Sequence, residues 1–194
     1  MSTIVVVLKN NIACIAADSL TSFGETKQSA EFVSDSDKII QFAGYGSENY
    51  MGIVGSAAHH LVMQNLIINH ADKIDFSSRL AIFNTLKNIH PILKDEYFLN
   101  SKEEDNDSYE SSRVDALVMN SNGIFGLYSL REVDQYSRFW AVGSGSEFAL
   151  GAMHAAYDLM EDSEQIARAG VTAGATFDNG SALPMSCYSI EVKS

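Results

Sequence analysis

Basic residues are scarce in this chain: 13 Lys and Arg stand against 25 Asp and Glu, for a formal net charge of -12. That deficit argues against nucleic acid and anionic membrane surfaces as partners, because both are held by clustered cations. It suits neutral or basic ligands. Long apolar runs are missing too, and nothing approaches the roughly 18 residues a membrane-spanning helix needs. "IVVVL" near the start is too short for a secretory signal and has no basic segment before it. A soluble, cytoplasmic protein is therefore expected. Cysteine is nearly absent, and Cys14 and Cys187 both fall in predicted strands, where they read as reduced packing residues. No internal repeat or linker interrupts the chain. "GSGS" at 143–146 lacks the G-x-x-x-x-G-K-[ST] pattern and the βαβ setting of a phosphate loop. His59, His60 and His70 share a predicted helix without the i, i+4 pair of a zinc helix, and a solvated or packed role is expected for them. Any bound metal is left open.

What is present is an ordinary globular composition, 46% hydrophobic over 194 residues, enough for one layered domain. Residues 3–8 and 12–17 are apolar, β-branched runs separated by Lys9, Asn10 and Asn11, which predicts a hairpin. A turn centred on Asn10 and Asn11 places Asp18 opposite Thr3 and beside Ser2. "DKIIQFAG" and "NYMGIVG" predict two further strands. A helix with apolar Ala58, Leu61, Val62, Leu66 and Ile67 follows. A second helix begins near Ser77 as N-cap and ends near Pro91. Residues 95–112 are polar and acidic and predict an exposed inserted loop. Strands return at "VDALVM", "GIFGLY" and "RFWAV"; two helices follow, over "SEFALGAMHAAYDLM" and "SEQIARAGVTAGAT", and "PMSCYSIEV" closes as a strand. Two antiparallel groups alternating with two helical pairs predict a sheet-on-sheet sandwich with helices outside.

The first residues carry the chemistry. A small Ser2 follows Met1 at the head of a buried strand. Removal of Met1 would put an α-amino group and a hydroxyl on one residue, a nucleophile with its own base. The stretch "STIVVVLKNNIACIAADS" resembles the opening of the proteasome family of N-terminal-nucleophile hydrolases, more closely the bacterial HslV type and its proteasome-like relatives. The Ser2-to-Asp18 interval agrees with the family's nucleophile-to-Asp interval without a gap, whereas Thr3 would shift it by one. "SDSDKII" supplies Lys38, "IVGSAAHH" supplies Gly55, "VGSGSEFALGAM" supplies Ser144, and "FDNGSALPMSCYSIEV" supplies Asp178 and Ser181. The resemblance covers nearly the whole chain, with the acidic loop as its main departure.

The resemblance implies an α+β fold, a four-layer αββα sandwich forming homo-oligomeric stacked rings. It implies a catalytic set of Ser2, Asp18, Lys38, Ser144, Asp178 and Ser181, with the Gly55 N–H as oxyanion donor and no cofactor. Ile53 and Ala57 match walls of the family's first specificity pocket and serve equally well as core. The implied activity is hydrolysis of unfolded polypeptide, with an ATP-driven unfoldase as partner. The usual nucleophile is Thr, whose methyl group restricts its rotamer; Ser2 lacks that restriction, so slower turnover is expected. Glu103, Glu104, Asp105 and Asp107 are expected to favour basic substrates if the acidic loop lines an entrance. Two alternatives stay open: an amidase of the same chemical class acting on a small metabolite, and a non-catalytic ring scaffold that keeps Met1.

Overall fold

The computed structural model describes residues 2–102 and 104–193; Met1, Glu103 and Ser194 lie outside the described residues. The chain runs β1 (Ile4–Lys9), β2 (Ile12–Asp18), β3 (Thr21–Phe23), β4 (Thr26–Gln28), β5 (Ile39–Gly44), β6 (Ser47–Val54), α1 (Ala57–Asn69) and α2 (Arg79–Asp95). It continues through β7 (Asp115–Asn120), β8 (Gly123–Leu127), β9 (Val133–Tyr136), β10 (Phe139–Val142), α3 (Ser146–Tyr157), α4 (Ser163–Phe177) and β11 (Met185–Glu191). Two antiparallel sheets dominate, in the orders β10-β1-β2-β11 and β5-β6-β7-β8-β9; β3 and β4 form a separate small hairpin.

Three apolar clusters make the layering explicit. Along β1 and β2, Ile4, Val6, Ala13, Ile15 and Ala17 face Tyr50, Leu117, Met119 and Ile124 of the second sheet. The alternate residues Val5, Val7, Cys14 and Ala16 face Met153, Ile166 and Val171 of α3 and α4. On the far side, Met51, Ala116, Val118 and Phe125 pack on Leu66, Ile82, Leu86 and Ile89 of α1 and α2. The order is helices, sheet, sheet, helices: the four-layer αββα sandwich. Residues 4–7 of β1 are an unbroken apolar run because both faces are buried there, so no polar alternation is needed. No helix among the described residues is long and apolar enough to cross a membrane.

The predicted hairpin has its expected register, Ile4 opposite Ala17, with the Asp18 N–H donating to the Thr3 carbonyl at 3.1 Å. Asn10 and Asn11 both take positive φ, 52° and 60°, as a tight turn requires. Cys14 and Cys187 are free thiols, their sulfurs 3.3 Å apart.

Other expectations need correcting. The inward face of α1 is Met63, Leu66 and Ile67, while Leu61 is 68% exposed. A helix apolar around much of its circumference has no unique inward stripe, so spacing alone misplaces the face. The second helix takes Ser78, not Ser77, as N-cap, the Ser78 Oγ accepting from the Ala81 N–H at 3.2 Å. It also continues through Pro91 to Asp95. Proline removes one backbone donor, but Pro91 and Lys87 lie on the exposed side, where water can satisfy the released carbonyl. The next residues, Ile92 and Leu93, are buried in the core. The acidic loop is pinned at its stems: Ser101, Ser111 and Ser112 are buried, and the Ser111 N–H donates to the Ser101 carbonyl at 2.9 Å. Glu110 accepts from Lys94 at 2.6 Å and lies 3.0 Å from His90 Nε2. The hairpin β3–β4 and strand β9 are short elements that the apolar pattern does not announce.

Candidate active site

The open end of the sheet pair gathers residues from four distant segments. Asp18 closes β2 and is 1% exposed, a buried carboxylate that must be saturated with donors. Its Oδ1 accepts from the Thr3 N–H at 2.9 Å and Lys38 Nζ at 2.8 Å. Its Oδ2 accepts from the Leu20 N–H at 3.0 Å and the Ala182 N–H at 3.1 Å. One carboxylate thus ties the first strand, the start of β5 and the loop before β11. Asp37, just before Lys38, accepts from the Ile39 N–H at 2.9 Å and the Tyr188 hydroxyl at 2.5 Å, which fixes the backbone that aims Lys38. Burial pulls the Lys38 ammonium below its usual range, and the Asp18 charge and hydrogen bond oppose that pull.

A second carboxylate organises the other side of Ser2. Asp178, at the C-terminal cap of α4, accepts at Oδ2 from Ser144 Oγ and from Ser181 Oγ, each at 2.7 Å. Both serine protons are therefore committed to Asp178. It follows that Ser144 Oγ is an acceptor toward the Ser2 nitrogen, 3.2 Å away, and Ser181 Oγ an acceptor toward Thr3 Oγ1 at 2.7 Å. Burial raises the Asp178 pKa, but the two hydroxyls and the Gly180 N–H outweigh it, and the carboxyl sits below its ordinary range.

The loop from Gly143 to Gly145 holds Ser2 from beneath. Gly143 takes φ +97°, and a Cβ there would collide with the Ser2 carbonyl oxygen. The Gly145 N–H donates to that oxygen at 3.2 Å. Only a glycine gives both that backbone angle and that approach. Thr3 is fully buried with its hydroxyl bonded to Ser181. The sequence places it opposite Asp18 and sets it aside as nucleophile, but does not assign it a role in the site. The pairing of Asp18 with Thr3 was the signal that could have found it.

Gly55 lies between β6 and α1 with φ +105°, followed by Ser56, whose hydroxyl caps the helix at the Ala58 N–H. A glycine at a helix start has free amides and a favourable dipole for an oxyanion. A Cβ added at Gly55 would have His59 Nδ1 as its nearest neighbour, 3.9 Å away. That nitrogen is buried without a hydrogen-bond partner among the described residues, and burial pulls the imidazole pKa down. Ile53 is buried in the core between α1 and the second sheet, whereas Ala57 is exposed at the helix start. The structure therefore brings Ser2, Asp18, Lys38, Ser144, Asp178 and Ser181 into linked hydrogen-bond networks and separates Ile53 from Ala57 by exposure. Among the described residues, no group of three or more His, Cys, Asp or Glu is placed to hold a metal ion.

No protein-family model and no curated protein sequence matches the chain. Solved structures do. BPH from Thiobacillus denitrificans is 38% identical, with 98% of each chain covered and a TM-score of 0.90. The same protein in complex with epoxomicin gives 37% identity, 99% and 100% coverage and a TM-score of 0.89. The chain belongs to the proteasome-like N-terminal-nucleophile hydrolases, with the bacterial proteasome homologues. HslV from Trypanosoma brucei, at 19% identity, 97% and 99% coverage and a TM-score of 0.71, shares the fold of this hydrolase.

Proposed function

We propose that this chain is a subunit of a self-compartmentalising proteasome-like peptidase, with Ser2 as nucleophile once Met1 is removed. One observation carries the reading: the hydrogen-bond chain from the Ser2 nitrogen to Ser144 Oγ and on to Asp178, at 3.2 and 2.7 Å. Removing Met1 turns that nitrogen into an α-amine, whose ordinary pKa near 7.7–8.0 suits general-base work. Because Ser144 accepts from it, the amine's lone pair stays available for the Ser2 hydroxyl. The amine takes the hydroxyl proton as Oγ attacks a peptide carbonyl. The oxyanion meets the Gly55 N–H, a type of contact worth roughly 3–4 kcal/mol in a transition state. The amine then protonates the leaving nitrogen, and water hydrolyses the acyl-enzyme by the same relay. Lys38, held by Asp18, adds positive potential beside the nucleophile, and Asp178 with Ser181 fixes the amine's surroundings.

Assembly into stacked rings, unfolded polypeptide as substrate, an ATP-driven unfoldase as partner and a cytoplasmic setting belong to the same proposal. Exposed aromatic residues on the α3–α4 face support burial against another copy: the rings of Phe148 and Phe177 pack with centroids 5.6 Å apart, and Phe177 is 69% exposed. The deciding experiment is intact-protein mass spectrometry before and after a peptide epoxyketone, the reagent class seen bound to BPH of Thiobacillus denitrificans. Its ring closure needs a hydroxyl and a free α-amine on one residue. Loss of Met1 and an adduct on Ser2 are expected. Met1 retained, or an unmodified Ser2, would overturn the proposal, and light scattering at monomer mass would remove the ring.

A further inference from the structure

We propose that a cavity next to Ser2 is a subsite for a cationic side chain, arginine above all, on the leaving-group side of the scissile bond. It rests on the peptidase reading of Ser2 and names the substrate class for that site. The cavity, about 500 Å³, is lined by Gly143, Ser146 and Val54, and a Cβ built on Gly143 would lie 3.3 Å from Val54 Cγ1. Gly143 is the residue packed under the Ser2 carbonyl, and Val54 directly precedes the oxyanion glycine. The cavity therefore adjoins Ser2 through Gly143 rather than lying on a remote face.

Its lining has one charge sign. Asp115, Glu132 and Asp134 contribute carboxylates, and no Lys or Arg among the described residues lines it. Asp115 is paired across the sheet with Val54, and its two hydrogen bonds, from the Ser129 N–H at 2.8 Å and Ser129 Oγ at 3.0 Å, both fall on Oδ1. The ion pair made by Asp134 is long: Arg79 approaches it at 3.9 Å while the Arg79 Nε donates to the Val133 carbonyl at 2.5 Å. An aromatic wall completes the cavity. Tyr136 and Trp140 stack with centroids 5.1 Å apart at 12°, and the Tyr136 hydroxyl is fixed 2.5 Å from that of Tyr128. A flat ring pair beside carboxylates fits a guanidinium, which stacks through its plane and bonds carboxylates through its edge. An ammonium would use the charge and leave the stacking surface unfilled.

The direction of the chain follows from the relay. The α-amine must hand its proton to the leaving nitrogen, so the segment after the scissile bond lies on the amine's side. Ser144, which holds that nitrogen, sits in the loop whose Gly143 and Ser146 line the cavity.

The test uses internally quenched peptides, because a leaving-group dye would occupy the subsite. Two peptides differ only in Arg or citrulline directly after the cleaved bond, which changes charge at nearly constant shape. kcat/KM is measured on the assembled wild-type protein, and Kd for the same pair on Ser2→Ala. Arg should exceed citrulline by about 5- to 10-fold in both measurements, the size expected of a cation meeting rings and partly exposed carboxylates. Added salt should shrink the ratio. Glu132→Gln and Asp134→Asn should bring it toward one, chiefly by lowering kcat/KM and binding for the Arg peptide. Equal handling of the pair, or a preference only when Arg precedes the bond, overturns the subsite even if both peptides are cut. Arg-dependent binding without any Ser2-dependent cleavage would instead overturn the peptidase reading and leave the subsite standing.

Discussion

The two flanks of Ser2 are built differently. On the side away from Gly55, Asp18, Thr3 and Ser181 are almost fully buried, and their side-chain polar atoms have named partners within about 3 Å. On the oxyanion side, Gly55 is exposed, holds φ +105°, and leads into a helix whose Leu61 and Ile68 are 68% and 77% exposed. The first flank is part of the core and is fixed by folding. The second is a loop at the edge of an outer helix, where the backbone is free to adjust. In the proposed peptidase the first side would fix the proton relay, and the second would stay adjustable.

The largest expected effect comes from breaking the rigid flank with Asp18→Asn. The amide can keep one oxygen toward Thr3 and Lys38, but its NH2 then faces the Leu20 and Ala182 N–H groups, donor against donor. Lys38 loses its counter-charge while its side chain is only 14% exposed. Removing one partner of a buried ion pair typically costs about 3–5 kcal/mol. Urea unfolding should show a loss of that size together with loss of activity. Unchanged stability would mean the flank is not part of the core.

Gly55→Ala probes the adjustable flank. The added Cβ has room, its nearest neighbour being His59 Nδ1 at 3.9 Å, but φ +105° is strained for alanine by about 1–3 kcal/mol. The loop should relax and carry its N–H away from the oxyanion. kcat should drop by roughly 10²-fold, with KM nearly constant and the urea midpoint moving far less than in Asp18→Asn. Equal losses in stability for the two variants would erase the contrast between the flanks.

How far the sequence reveals each flank follows the same division. Ser2 and Asp18 sit at a fixed interval on one hairpin, whose register carries Asp18 to Thr3 without knowledge of the rest, and the Asp178–Ser181 pair is legible through the family resemblance. Lys38 is legible through the family resemblance, which expects a Lys just before a strand. The oxyanion flank is harder to read. The apolar face of α1 is misjudged from spacing because its inward stripe depends on which side the second sheet covers. The Pro91 boundary fails because Ile92 and Leu93 pull the helix onward into the core. The carboxylates and rings beside Ser2 come from β7, the β8–β9 region and β10, whose alignment only the folded sheet supplies.

Acid should loosen the rigid flank in a defined direction. The fold holds the Asp178 pKa below its ordinary value, so its contribution is complete above about pH 4 and is lost as pH falls through the lowered pKa. Asp178→Asn should therefore be less stable than wild type at neutral pH, with the gap closing below about pH 4 in acid-unfolding curves. A gap independent of pH would assign the loss to packing instead of charge.

The smallest effect concerns the loop packed beside the adjustable flank. Lys94, and after it His90, hold Glu110 down to about 2, from an ordinary value of 4.5. The tether is therefore complete above about pH 4.5 and is lost progressively as pH falls toward about 2. Its ion pair between Lys94 and Glu110 is exposed and screened by salt, so global stability should barely register Glu110→Gln. The loop should register it: hydrogen exchange at Glu104–Tyr109 should quicken in the variant at neutral pH. Wild type and variant should converge near pH 2, while equal exchange at neutral pH would assign the tether to the buried Ser101, Ser111 and Ser112 contacts alone.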